Sequence, residues 1–346
     1  MPIPYKIEIF DRNFAFRSFA PIAPQAIEFD YLTMSKVSLK TPQIAAQKGD
    51  YARITVGSRE VYTGLIDDVA VNDADVTITL VPLQTIFNGT VYIGAVSSGT
   101  VEKTLAAVIK EHFVENSDTL QNIPGLQVIT SSATSGGLWG DDLLVNFSDL
   151  MEKAITAYGV VISMEFSPQE KTLTATIGKV AQTAVIEADL PAILSREIIL
   201  GDSYGQLNKL IVLDDADASR SAIYFLHSDG TVSTKNTDRL YPVFFATVIV
   251  SAEDAADFDA LASEQAFNAL SPQQYDNLIE LTASNDSRVF PKDLPIGAVV
   301  AVWYNGKKYR SILSGRIIRE KTTTLLFGVV RIDLTKKLAL QSRKNR

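Results

Sequence analysis

Two stretches far apart in the chain follow one script. The first, GDYARITVGSREVYTGLIDDV, starts at Gly49, and the second, GAVVAVWYNGKKYRSILSGRII, starts at Gly297. Each opens on a glycine and runs through an apolar strand to a short turn, Gly57-Ser58 or Asn305-Gly306. Each then enters a strand carrying a tyrosine, Tyr62 or Tyr309, and reaches a second glycine, Gly64 or Gly315, before more apolar residues. A Thr-rich strand follows in both, and the second copy has a few extra residues before its second glycine. Such dipeptides between alternating segments are hairpin signals. Any two hairpins share some of these traits. A repeat, however, decides the architecture before local propensity does. The expectation is two copies of one β-domain, with Gly49 and Gly297 at equivalent positions and a different domain between them.

Hydrophobic periodicity fills in the rest. In AIEFDYLTMSKVSL, the residues Ile27, Phe29, Tyr31, Val37 and Leu39 share one parity, the mark of a half-buried strand. YARITV (51–56), EVYTGLI (60–66) and DVTITLV (75–81) follow, spaced as in a sandwich or small barrel. Between about 90 and 190 the pattern becomes helical. Val101, Leu105, Val108 and Ile109 form one face behind a candidate N-cap, Thr100. After a Ser- and Gly-rich stretch (131–140), Ser148 is the expected cap of a second helix. That helix runs to Tyr158, with Leu150, Met151, Ala154 and Ile155 buried and Gly159 ending it. VVISMEF (160–166) and TLTATIG (172–178) read as a hairpin. Strands return at REIIL (196–200), NKLIVL (208–213), SAIYFL (221–226) and FFATVIV (244–250), and again from Leu278 onward. One helix interrupts them. Ser251 with Asp254 resembles a capping box there, and Phe258, Leu261 and Ala262 give its apolar face.

The fold class read from this is mainly β with an α+β insert. Two similar tube-like β-barrel domains, 1–88 and 195–346, flank a small α+β domain, 89–194, and the second barrel carries a helical insertion near 251–272.

Catalytic chemistry finds little to work with. The 346 residues include no cysteine and two histidines, His112 and His227. That excludes thiol nucleophiles, thiolate metal sites and His-rich metal centres. Gly201-Asp202-Ser203-Tyr204-Gly205 matches the G-x-S-x-G nucleophile elbow, but a strand rather than a helix is expected after it. Asp67-Asp68, Asp214-Asp215 with Asp217, and Glu253-Asp254 with Asp257 are the carboxylate clusters. Neighbours on a strand point to opposite faces, so Asp67 and Asp68 should not converge. Asp214–Asp217 reads as a solvated loop, and Glu253-Asp254 sits where a helix N-terminus favours acids. His112 falls near the C-terminal end of a helical stripe, and His227 opens an Asp-Gly turn. No catalytic, cofactor-binding or metal-ligating residue is assigned, no cofactor is expected, and the chain reads as no enzyme. A net charge of −8 argues against a dedicated nucleic-acid binder. No secretion signal and no membrane-length apolar run is seen, so the expectation is a soluble protein made inside the cell.

Four phrases in order carry a family resemblance. They are KGDYARITV with VYTGLIDDV; LNKLIVL then IYFLHSDGTVS; the helix near Ala255–Leu270 then NLIELTASNDSRVFPKDLPIGAVVAVWYNGKKY; and FGVVRIDLTKKL. With their spacing, the chain resembles the phage tail hub family, the prophage tail or baseplate hub proteins of long-tailed phages. The resemblance covers essentially the whole chain. It implies a structural virion protein at the tail tip or baseplate, made in the bacterial host cytoplasm. It also implies a homotrimer whose six barrels form a pseudo-sixfold ring joining tail tube to tip, with DNA as passing cargo. The implied partners are a distal-tail or tail-tube protein, the tape-measure protein and a tip or receptor-binding protein. Many relatives continue into a receptor-binding or wall-degrading part, and here the chain stops soon after Leu340, so that activity is not carried over. The alternative reading is a β-rich receptor- or carbohydrate-binding adhesion protein, and a wall hydrolase is a third. An exposed aromatic platform would mark the adhesion protein, but Trp139 and Trp303 are the only tryptophans.

Overall fold

In the computed structural model the described residues are 5–73, 75–93, 99–134, 144–201, 205–217 and 219–331. Seven strands come first: β1 (Tyr5–Phe10), β2 (Phe16–Ile22), β3 (Ile27–Asp30), β4 (Val37–Thr41), β5 (Tyr51–Val56), β6 (Arg59–Val71) and β7 (Val76–Pro82). Six of them make one antiparallel sheet in the order β2-β1-β5-β6-β7-β4. The hairpin β1–β2 turns where the Asp11 carboxylate accepts from the N–H groups of Asn13 (2.8 Å) and Ala15 (2.9 Å). Alternate residues such as Ile7, Ile9, Ile54, Ile78 and Leu80 fill one core. That core also takes Ala20 and Ile22 from β2 and Val37 and Leu39 from β4, so the sheet curls until its outer strands share one interior.

The single strand expected over 27–39 is broken in two. The Asp30 carboxylate and carbonyl cap a turn by accepting from the N–H groups of Leu32 (2.9 Å) and Met34 (2.9 Å), and Met34 takes φ +48°. Parity survives the break, which is why the sequence pattern hid it. The two halves serve different sheets: β4 pairs with β7, and β3 pairs with a strand near the far end of the chain.

The middle region holds β8 (Thr90–Tyr92), α1 (Val101–Phe113), β9 (Leu126–Thr130), β10 (Leu144–Asn146), α2 (Phe147–Tyr158), β11 (Val160–Ser167) and β12 (Thr172–Lys179). Thr100 caps α1 as expected, accepting from Lys103 N–H, and Gly159 ends α2 at φ +67°. Ser148 does not cap α2. β10 runs straight into the helix, so Asn146 is the N-cap, and Ser148 donates to Asp149 instead (3.3 Å). β11, β12 and β9 form a three-stranded sheet beside the two helices. Their joint core also takes Phe10, Phe14, Tyr31 and Tyr51 from the first region, with Phe166 in contact with three of those rings.

The last region begins with β13 (Thr183–Glu187) and β14 (Ile193–Leu200). A four-stranded sheet follows, built from β15 (Lys209–Asp214), β16 (Ser221–Leu226), β17 (Val232–Ser233) and β18 (Phe245–Val250), then α3 (Ala255–Leu270). Its order is β17-β16-β15-β18, with β18 parallel to β15. Asp254, not Ser251, caps α3 by accepting from Asp257 N–H (2.8 Å), while Ser251 donates to Asp215 (2.6 Å). Phe258, Ala262, Ala266 and Leu270, four residues apart, lay one stripe of α3 on Leu210, Val212 and Leu226. The chain returns through β19 (Asn277–Ser284), β20 (Val299–Tyr304), β21 (Lys307–Ile318) and β22 (Thr322–Phe327). The second large sheet runs β13-β20-β21-β22-β19-β14, and β3 joins it beside the C-terminal half of β21. The fold is mostly β, with curled sheets and few helices.

Candidate functional site

The repeat is the feature the structure develops most. In the first sheet, β5, β6 and β7 form a meander, and the preceding strand β4 adds at the far edge. In the second sheet, β20, β21, β22 and the preceding β19 do the same. Chain order and spatial order agree strand for strand. Hydrogen bonds fix the register. Gly49 N–H donates to Ile66 C=O (2.8 Å), and Ile66 N–H to Asp50 C=O (2.9 Å). Gly297 N–H donates to Leu313 C=O (2.7 Å), and Leu313 N–H to Ala298 C=O (2.9 Å). Both glycines sit at positive φ, +85° and +90°, a conformation open to glycine at no steric cost. Tyr62 pairs with Ile54 and Tyr309 with Val302, each partner five residues beyond its glycine. A bulge follows at the same place, at Asp67 in one copy and Ser314 in the other. Bulges bend a strand and increase its twist, which suits a sheet that must curl.

The second glycines are not equivalent. Gly64 lies two residues before Ile66, and Gly315 lies two residues after Leu313. Each answers a separate close approach. A Cβ at Gly64 would collide with the Val81 carbonyl on β7, and one at Gly315 would lie 2.9 Å from the Phe29 carbonyl on β3. The copies also differ at one edge, since β1 runs antiparallel to β5 whereas β13 runs parallel to β20.

The two sheets are tied where β3 runs beside β21. Arg331 forks onto Asp30 through Nε (2.6 Å) and Nη2 (3.1 Å), and Nη2 also donates to Ser314 Oγ (2.7 Å). Asp30 ends β3 and Ser314 is the bulge of β21, so this buried pair clamps the seam between the regions. Tyr31 Oη accepts from Ile162 N–H (2.9 Å) nearby, and burial pushes its phenol well up. Arg59 and Asp293 pair across the same seam. A cleft of about 310 Å³ lies beside it, lined mainly by apolar side chains with Tyr62, Gln84, Glu60 and Arg316. Burial lowers the Arg316 pKa, and its guanidinium donates to the Leu294 carbonyl. Glu60 accepts from the Thr63 hydroxyl (2.6 Å), and no second carboxylate lines the cleft with it.

Of the residues singled out in the sequence, the Asp214–Asp217 and Glu253–Asp257 clusters come side by side, with Ser251 Oγ donating to Asp215 and Ala252 N–H to Asp214, and the others lie apart from them. Ser203 of the G-x-S-x-G match and Trp139 lie outside the described residues; beyond Gly205, β15 follows and not a helix. Asp67 leaves the regular strand at its bulge and binds Lys36 (2.6 Å) and Lys48 (3.4 Å), which hold its carboxyl below the ordinary value. Asp214 is no solvated loop residue. It continues the inward parity of Leu210 and Val212, and its side chain is buried. Burial pushes its pKa up, but the N–H groups of Ala216 and Ala252 and the Arg220 guanidinium outweigh that and hold it down. His112 Nε2 lies 3.0 Å from the Tyr92 carbonyl, and buried His227 Nε2 lies 2.8 Å from Ser233 Oγ. Glu102, which the sequence reading passed over, is fully buried and accepts from Ser132 Oγ, Thr134 N–H and Thr134 Oγ1 at 2.7–2.8 Å. Among the described residues no group of three or more His, Asp or Glu is placed to hold a metal ion.

No family model and no curated relative matches the chain. Solved structures do. A tail protein from Neisseria meningitidis MC58 superposes with a TM-score of 0.53 at 15% identity, over 94% of this chain and 96% of that one. The 43 kDa tail protein of prophage MuSo2 from Shewanella oneidensis gives 0.53 at 12% identity, over 94% and 98%. The chain therefore has the fold of phage tail proteins along nearly its whole length.

Proposed function

We propose that this chain is a structural hub of a phage or prophage tail, placed at the tip or baseplate. The observation that carries the reading is the four-strand module built twice with the same strand order, the same glycine-anchored hydrogen bonds and the same bulge. One chain then offers two similar wall segments. Three chains offer six, which adapts a sixfold tube to a threefold tip. The tail-protein fold over 94% of the chain supports the setting. A net charge of −8 suits a conduit, since an acidic wall holds passing DNA weakly. The contacts above and below the ring are a tail-tube or distal-tail ring and a tip protein, with the tape-measure protein inside. Asp67, Asp214, His112 and His227 each take a hydrogen-bond or ion-pair partner of their own, which favours a role without catalysis.

Gold labelling of a tagged chain in intact tail particles tests the placement. Label at the distal end of the tail, on the axis, is the expected result. Label along the tube or at the head end contradicts it.

A further inference from the structure

The four-stranded sheet of β15–β18 is covered on one face only. α3 packs on the face of Leu210, Val212, Ala246 and Val248. The register places Lys209, Ile211 and Leu213 of β15 beside Phe245, Thr247 and Ile249 of β18 on the other face, with Ile223 of β16 next to Ile211. That face is apolar and open: Phe245 is 64% exposed, Ile249 68% and the adjoining Tyr241 66%. A contiguous apolar face of this kind marks an interaction surface. β18 is also the terminal strand of its sheet, and FATVIV carries none of the charges or prolines that guard a free edge.

One end of this face is basic. Lys209 Nζ sits 5.7 Å from the Phe245 ring centre, and Arg239 lies over Phe225 (5.0 Å) and Tyr241 (5.4 Å). Neither cation forms an ion pair among the described residues. The opposite side of the same two-layer unit is complementary. The first half of α3 exposes the small residues Ala256, Ala260 and Ser263 together with Asp259 and Glu264, and exposed Glu253 stands just before its cap. These acids also form no ion pair among the described residues. Small side chains let a helix approach a sheet closely, and acids opposite Lys209 and Arg239 set the orientation.

We propose that the open face of β15–β18 in one copy docks on the outer, acidic side of α3 in the next copy. The contact joins two different surfaces head to tail, the type that closes into a ring when the rotation permits. It rests on the trimeric reading above and names the surface that makes the ring. A helix then covers each face of the sheet, and the aromatic and arginine side chains enriched at interface centres lie buried.

The absence of cysteine makes the test clean. Thr247→Cys marks the sheet face and Ala260→Cys marks α3, on opposite sides of a layer about 10 Å thick, beyond the reach of a disulfide within one chain. The two single variants of the full-length chain are mixed under mild oxidation. The proposal expects a disulfide-linked dimer in the mixture well above either variant alone. Lys209→Glu in the first variant should cut that yield several-fold, and Asp259→Lys in the second should restore it. A mixture that gives no more dimer than the single variants overturns the docking proposal. Sedimentation of the same chain separates this from the larger reading: a trimer without the cross-link leaves the ring standing on another surface. Six chains per tail particle would remove the ring reading itself.

Discussion

Replacing Arg331 by Met keeps the aliphatic stem and removes the guanidinium. The perturbation isolates the clamp between β3 and β21. In the wild type, Asp30 is almost fully buried, while Arg331 keeps about a fifth of its side chain exposed. Breaking a buried pair by removing one partner costs about 3–5 kcal/mol, because a charge is left uncompensated. Two features lower that here. Asp30 keeps the N–H groups of Leu32 (2.9 Å) and Thr33 (3.4 Å), and partial exposure of Arg331 means the lost attraction is screened. About 2–3 kcal/mol is therefore expected at the seam. Converted at about 1.4 kcal/mol per factor of ten, that opens the β3 amides about 30- to 140-fold more often. Hydrogen exchange of the peptide covering 27–33, followed by mass spectrometry, reads this directly, and peptides from β15–β18 should be unaffected. The double variant Asp30→Asn with Arg331→Met removes both charges and should recover most of the protection. A change below about threefold in the single variant, well under about 1 kcal/mol, would refute the argument that this pair closes the seam.

Glu102→Gln should lower stability by about 1–2 kcal/mol at pH 7, because the amide presents hydrogens to donors that need an acceptor. The folded carboxyl lies below its unfolded value, so its contribution is present above about pH 4.5 and is lost as pH falls through the folded pKa. Thermal melts of wild type and variant should thus converge in acid, and parallel curves would contradict the assignment. Gly297→Ala should cost about 1–3 kcal/mol, since φ is +90° and the new Cβ would stand 2.7 Å from Val161 Cγ2. Gly306→Ala, also at positive φ but with nothing within 4 Å, should cost visibly less in the same melt. Ser203→Ala should leave esterase and wall-lysis assays unchanged from wild type, and an activity lost in the variant would overturn the non-catalytic reading.

What the sequence disclosed was local or periodic. The Gly57-Ser58 and Asn305-Gly306 hairpins, the Thr100 cap and the Gly159 terminator each depend on a few neighbouring residues, and each stands in the structure. Parity misled at 27–39, because a turn of even length leaves the alternation intact while sending β3 and β4 to different sheets. Asp214 was opaque for the opposite reason. Its neighbours Asp215 and Asp217 suggested solvent, whereas its own position on β15 decides its burial. The repeated glycines Gly49 and Gly297 were legible, yet Gly64 and Gly315 matched only in their order along each copy, since their reasons lie in Val81 and Phe29 on other strands. The Asp30–Arg331 clamp joins residues 301 positions apart, and no window of sequence contains both. The open face of β15–β18 was likewise hidden, because strand periodicity marks two faces without saying which one a helix covers.

The measurement that bears most directly on the account is a reconstruction of the intact tail, without imposed symmetry, at a resolution that separates strands. Three copies of this chain are expected around the axis, with the β4–β7 and β19–β22 modules alternating as six wall segments about the channel. Six copies, or modules lying outside the tail wall away from the channel, would contradict it.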